Sequence, residues 1–206
     1  MSFSNHLRKL AQPVWDAQLT HPFVLALGKG TLSERKFRYY ILQDARFLAD
    51  LARVFAAGSV RAPDAESALR FAKLAEDTII VERSLHENYG KRWNLSPQHM
   101  LTVAQSGTAT EIGVVALPCA WIYCVVGKHL LKNGAPPAKH PYRDWLMLYA
   151  SPEFEAVQEW MRARIDTWAR TAGHEEKKRM EHSFLISSKY EWMFWEMAWN
   201  EEKWPV

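Results

Sequence analysis

The chain has 206 residues, 48% of them hydrophobic and 10 of them tryptophan, enough for one domain with a sizeable core that needs no disulfides. Its formal charge is only +3 and its Lys and Arg are mixed with Asp and Glu, so no basic block points to nucleic acid or to an anionic membrane. Its two cysteines, Cys119 and Cys124, point to different faces of a helix and cannot pair. Free thiols, with no signal-like apolar stretch at the N-terminus, argue for a reducing, cytoplasmic setting.

Helical periodicity dominates and strand-like alternation is nearly absent. A first helix is predicted over residues 4–20, ending before His21-Pro22, and Gly28-Lys29-Gly30 reads as a turn. Ser33 is placed to N-cap a long helix carrying Phe37, Tyr40, Ile41, Phe47, Leu48, Leu51 and Phe55 on one face. Pro63-Asp64-Ala65-Glu66 opens a third helix reaching Tyr89, followed by a turn around Asn94-Leu95-Ser96-Pro97. Residues 108–131 make an apolar helix interrupted by Pro118, a break that costs about 3 kcal/mol in a helix interior. No apolar run is expected to reach the roughly 20 residues of a membrane span. Gly134-Ala135-Pro136-Pro137 is the clearest loop. A helix over about 142–149 stops at Ser151-Pro152-Glu153, which has the form of an N-cap, a first-turn proline and an acidic first turn. Residues 153–172 and 175–199 form the last two helices. Six to eight helices with short links give an all-α, single-domain multi-helix bundle over residues 1–206.

Three polar residues fall on faces that the spacing buries. Asp44 lies within the stripe of the second long helix. Cys119 lies among Ile112, Val115, Ala116, Ile122, Val126 and Leu130, and Glu191 is in line with Phe184, Ser188, Trp195 and Ala198. Each has a plain structural reading: a buried cysteine is usually a small hydrophobe, Asp44 has Arg46 and Arg53 on its own helix, and Glu191 competes with Glu196. Together they call for a polar pocket, because buried carboxylates are costly unless satisfied. Cysteine is also a strong nucleophile wherever its surroundings favour the thiolate. Tyr123 follows Cys119 by four residues and shares its face, and Tyr149 ends a helix beside a turn. Glu82 and His86, with Asp77 one turn back, have the spacing of a carboxylate–histidine metal pair, but no second Glu-x-x-His is present to complete a di-iron site.

Three ordered blocks carry a family resemblance. The first is His21-Pro22-Phe23, Gly30-Thr31-Leu32, Phe37, Tyr40 and Gln43-Asp44. The second is Leu117-Pro118-Cys119-x-Trp121-x-Tyr123, followed by Gly127. The third is Ser187-Ser188-x-Tyr190-Glu191-x-x-Phe194-Trp195-x-Met197-Ala198. Over residues 3–204 the chain resembles the TenA family (thiaminase II, aminopyrimidine aminohydrolase).

The resemblance implies a haem-oxygenase-like fold, a homotetramer, no metal and no organic cofactor. It implies hydrolysis at the methylene carbon on C5 of a 4-amino-2-methylpyrimidine, either thiamin or the aminomethylpyrimidine left when thiamin degrades. The product would be the hydroxymethylpyrimidine that re-enters thiamin synthesis. Position by position, Cys119 matches the nucleophile, Glu191 the catalytic acid and Asp44 the carboxylate that grips the pyrimidine edge. Tyr123 and Tyr149 match pocket tyrosines, and Phe47 an aromatic that stacks on the ring. One departure stands out: residues 91–110 are short, and no tyrosine occurs between Tyr89 and Tyr123 where the family places a pocket tyrosine. Trp93 or a neighbouring subunit would have to close that side. The rival readings are a di-iron or cofactor-dependent oxidase on the same fold, and a non-catalytic pyrimidine-binding protein.

Overall fold

The structure, a computed structural model, describes residues 1–89 and 98–202, the side chains of residues 46, 82–89, 98 and 99 excepted. The described residues form ten helices and no strand. In order they are α1 (Phe3–Leu10), α2 (Gln12–Thr20), α3 (Pro22–Lys29), α4 (Glu34–Arg61), α5 (Ala65–Tyr89), α6 (Gln98–Ser106), α7 (Ala109–Leu130), α8 (Arg143–Tyr149), α9 (Pro152–Trp168) and α10 (His174–Asn200). The all-α expectation holds. The turn expected around residues 94–97, and Trp93, lie outside the described residues.

Two departures from the expected helices have local causes. The first helix is broken at Ala11, whose N–H closes α1 onto Leu7 O, and Pro13 lies in the first turn of α2, where its missing N–H is no loss. The segment after His21-Pro22 is helical. His21 Nδ1 accepts from Phe23 N at 3.1 Å and so caps α3, while Gly30 ends it with φ 71°, a left-handed conformation that glycine adopts without strain. α6 was not expected at all. The caps read from sequence are present: Ser33 and Ser151 accept from the backbone N–H of Lys36 and Phe154.

α7 is the central element, packed by α10, α9, α4, α8 and α6, with nearly every side chain from Ala109 to Gly127 buried. By length and composition it is apolar enough to cross a membrane, contrary to the expectation from sequence, but 89% of its most apolar window is buried inside the protein. The apolarity is that of a core helix surrounded on all sides. Its N-terminus is held by a reciprocal capping box between Thr108 and Glu111, and Arg179 Nε donates to Glu111 Oε1 at 2.6 Å. The helix runs on through Pro118, which has no N–H to give the Val114 carbonyl.

α10 is gripped by α2. Trp15 Nε1 donates to Ser188 Oγ at 3.1 Å, Gln18 Nε2 donates to Ser188 O at 3.1 Å, and Trp195 Nε1 donates to Gln18 Oε1 at 2.6 Å, all of them buried. Three satisfied polar contacts in a buried interface fix the rotation of α10 about its axis. That rotation decides which side chains of α10 face α7.

Candidate active site

Asp44 from α4, Cys119 from α7 and Glu191 from α10 converge on one interior region. Asp44 is 8% exposed and Glu191 4%, while Cys119 is half-buried. Their electrostatics are mutual. Burial first, then the nearby Glu191 and Asp44 carboxyls, push the Cys119 thiol well above its ordinary value. Burial raises Asp44 to about 7. Burial, with Asp44 as a second cause, raises Glu191 to about 8. Oε1 of Glu191 is buried with no hydrogen-bond partner, an acceptor or acid left open for a ligand to satisfy.

The sequence left Glu191 in competition with Glu196, and the fold separates them. Glu196 lies toward the surface, where its Oε2 pairs with His21 Nε2 at 2.9 Å and its Oε1 accepts from Asn200. Because His21 Nδ1 already accepts from Phe23 N, the ring proton sits on Nε2 and points at Glu196. The His21-Pro22 motif is therefore a cap for α3 and a tether to α10. Arg53 is paired with Asp50, so it is not the partner of Asp44.

Aromatic side chains wall the cluster. Tyr123 and Tyr149 lie 4.9 Å apart between ring centroids, and Trp145 packs 4.5 Å from Tyr149. Trp195 lies 4.8 Å from Tyr123 and stacks on Tyr40 at 5.6 Å. Phe47 is half-buried and meets Phe194 edge-on at 6.2 Å, at the margin of this wall. Tyr123 is buried and Tyr149 partly so. Burial raises both phenols well above their ordinary range. The Tyr40 hydroxyl, Glu191 and Asp44 reinforce the rise at Tyr123, and Asp44, Cys119 and Glu191 do so at Tyr149. Both therefore act as neutral hydrogen-bonding groups. Tyr40 and Trp195 are placed by the sequence no further than the core or the motif, and Trp145 is not singled out at all. The i,i+4 spacings Tyr40–Asp44 and Trp145–Tyr149 were the signal that each shares a face with a site residue.

Gly127 sets how close α8 comes to α7. A Cβ there would meet the carbonyl carbon of Tyr149 at 2.7 Å and the Ala150 nitrogen at 2.8 Å, backbone atoms that have no rotamer in which to retreat. Gly127→Ala is expected to force the end of α8 outward, costing about 1–3 kcal/mol and several degrees of melting temperature. Because Tyr149 moves with it, turnover falls with stability. A variant with unchanged melting temperature and unchanged kcat would show that this contact does not position Tyr149.

The metal reading receives little from the described residues. Asp77 is exposed and paired with Lys73 at 3.0 Å, and the side chains of Glu82 and His86 lie outside the described residues. Among the described residues no group of three or more His, Cys, Asp or Glu side chains is arranged to hold a metal ion.

A thiol and two carboxyls from three helices, walled by aromatics, can be compared with known proteins. Residues 8–201 match the model of the TENA/THI-4/PQQC family. The chain belongs to that family. Among its curated relatives, the aminopyrimidine aminohydrolase of Halalkalibacterium halodurans is 37% identical, over 99% of this chain and 98% of the relative. The aminopyrimidine aminohydrolase of Helicobacter pylori is 30% identical, over 97% and 100%. Among solved structures, the TenA homologue of P. horikoshii OT3 superposes with a TM-score of 0.85 at 30% identity, over 98% of this chain and all of that one. The fold is thus the all-α haem-oxygenase-like fold of the TenA proteins, and the three blocks read from the sequence lie within the matched span.

Proposed function

We propose that this family member is a hydrolase that cleaves the C5 methylene–nitrogen bond of 4-amino-5-aminomethyl-2-methylpyrimidine, giving hydroxymethylpyrimidine and ammonia for thiamin salvage, by covalent catalysis at Cys119. The observation that carries the reading is the convergence of one thiol and two carboxyls with near-neutral pKa values in a buried, aromatic-walled region. The relatives named aminopyrimidine aminohydrolases supply the reaction class. By analogy with the family, the working unit is a cytoplasmic homotetramer, with Tyr123 and Tyr149 lining the pocket and Phe47 stacking on the ring.

The chemistry needs each of these groups. An amine is a poor leaving group while the ring is aromatic. Cys119 Sγ adds to ring C6 as Glu191 gives its proton to N1, and the Glu191 carboxylate takes up the thiol proton. The net change is one S–C6 bond and one N1–H bond, with no free thiolate required beforehand. The electron pair of the 4-amino nitrogen then expels the amine, which enters as the ammonium and departs as ammonia, leaving an exocyclic methylene. Water adds to that methylene and gives up one proton, which the ammonia takes; the ring pair returns, and the sulfur departs from C6 as N1 gives its proton to Glu191 and Glu191 returns one to the thiolate.

A carboxyl pKa near neutrality suits both halves, because the same group must give and take a proton at one pH. Asp44 raised to about 7 suits its role as well. A protonated carboxyl donates to ring N3 while its carbonyl oxygen accepts from the 4-amino group, matching the amidine-like edge with two hydrogen bonds.

The test is a turnover assay on purified protein with the aminomethylpyrimidine, its N-formyl form and thiamin. Release of hydroxymethylpyrimidine from the first, with kcat/KM at least about tenfold above that for thiamin, is the expected result. No release from any of the three would overturn the reading.

A further inference from the structure

Ser187 and Glu191 are both buried on α10, and each carries an oxygen without a partner. Ser187 is fully buried and its Oγ has no hydrogen bond, and the same is true of Glu191 Oε1. Buried polar atoms are nearly always paired, because an unpaired one costs stability, so two on one helix call for a reason. A serine inside a helix ordinarily turns its hydroxyl back to the carbonyl four residues earlier, here that of Ser183, and Ser187 does not. Its neighbour shows the contrast. Ser188 Oγ accepts from Trp15 Nε1, and the Ser188 carbonyl accepts from Gln18 Nε2.

Helix geometry sets the two open oxygens beside each other. Residues four apart share a face, with about 5–6 Å between their Cβ atoms, and a long side chain leans toward the N-terminus of its helix. Glu191 thus reaches back over the turn that carries Ser187. The clamp of α2 on Ser188 and Trp195 fixes the rotation of α10, so neither side chain leaves this face by a roll of the helix. On the other side of Ser187, Phe184 packs against the Trp15 and Trp121 rings, which offer a hydroxyl no oxygen to bond.

We propose that Ser187 is a positioning residue for Glu191: its hydroxyl donates to Glu191 Oε1 whenever that carboxyl is without its proton. While Glu191 is protonated the two stand unbonded, as in the structure. When the carboxyl gives up its proton, negative charge develops beside an O–H that needs only side-chain rotation to meet it. No covalent bond changes, and the hydrogen stays on Ser187. A hydrogen bond to a charged acceptor is roughly twice as strong as a neutral one, so the contact favours the carboxylate over the acid. The use of this contact rests on the hydrolase reading, in which Glu191 gives and takes a proton in every cycle and must not swing away between the two steps.

The titratable groups that face Glu191 are Asp44 from α4, Cys119 and Tyr123 from α7, and Tyr149 from α8. His21, ahead of α3, is engaged with Glu196. Burial pushes the ionisation of the thiol and both phenols upward, while Asp44 ionises at about 7, below the value of about 8 for Glu191. A donor to the carboxylate holds the ionisation of Glu191 down, so losing that donor moves it to higher pH.

Ser187→Ala keeps the helix and removes the donor. In the protein that turns over the aminomethylpyrimidine, kcat is expected to fall roughly fivefold to fiftyfold, with KM changed less than about threefold. The alkaline fall of kcat/KM should move up by at least about half a pH unit, which lost packing alone would not do. Melting curves read the same contact without turnover. At about pH 5 Ser187→Ala should melt at or above the wild type, because an unsatisfied hydroxyl is gone. By about pH 9 the difference should shift against the variant by about 1–3 °C, and in a Glu191→Gln background that shift should vanish.

Full kcat in Ser187→Ala, a loss of kcat with the alkaline limb in place, or a melting difference independent of pH would overturn the inference while leaving the hydrolase reading standing. An inactive wild type removes the hydrolase reading, and the melting curves still decide the contact. If Ser187→Ala does not fold at about pH 5, the hydroxyl is satisfied in the fold, and the inference falls.

Discussion

Cys119→Ser is expected to lose hydrolysis of the aminomethylpyrimidine by on the order of 10⁴-fold or more in kcat, while still binding the pyrimidine. The substitution keeps the size and position of the side chain and changes its nucleophilicity, so the pocket should survive. Binding is read by titrating the hydroxymethylpyrimidine and following tryptophan fluorescence, since Trp145 and Trp195 stand in the pocket wall. The structure adds a second, sharper expectation. Burial and two neighbouring carboxyls hold the resting thiol well above its ordinary pKa, so Cys119 is a protonated thiol before substrate arrives. Alkylation by iodoacetamide in the ligand-free protein should therefore be slow at neutral pH, since the thiolate is the reactive form. Full activity in Cys119→Ser would rule out the covalent route. Fast alkylation of Cys119 at neutral pH would instead contradict the concerted transfer of the thiol proton through Glu191.

That resting state marks the limit of what the sequence could tell. Local chemistry was legible wherever it is decided within one turn: Ser33 and Ser151 announce their helices by side-chain capping, and both caps are present. The break at Ala11 was missed because Pro13 was read through as part of one helix, and the helix after His21 because His21-Pro22 and the glycines at its far end read as a stop and a turn. Asp44 and Cys119 were legible as polar residues interrupting apolar stripes. Glu191 was not separable from Glu196 by spacing, since the choice depends on how α2 turns α10 through Ser188 and Gln18. The protonation of Cys119 and the Trp145–Tyr40–Tyr123 hydrogen-bonded chain are tertiary facts. Whether a buried oxygen ends up with one partner or two has no signature along the chain.

Glu191→Gln should separate catalysis from stability. Glutamine keeps the shape and the hydrogen-bonding capacity but can neither give nor take the proton, so kcat is expected to fall by roughly 10²–10⁴-fold. In the wild type, activity needs Glu191 protonated at the start of the cycle and should decline as pH rises through about 8. The substitution's effect on stability has the opposite sign to its effect on kcat. The folded pKa of Glu191 is raised above its unfolded value of 4.5, so between pH 4.5 and about 8 the native state holds a proton that the unfolded chain has lost. Stability therefore falls as pH rises across that window, and Asp44, raised from 3.8 to about 7, adds to the slope. Replacing Glu191 by a neutral side chain removes its share. The Glu191→Gln variant should melt higher than the wild type at about pH 8.5, by on the order of 1–3 kcal/mol of stability, and nearly equal to it at about pH 5. Melting curves across roughly pH 5 to 8.5, measured beside kcat, give both signs at once. A variant that loses activity and also loses stability at the alkaline end would mean that the carboxylate is satisfied in the fold, and the buried acid proposed here would have to be another group.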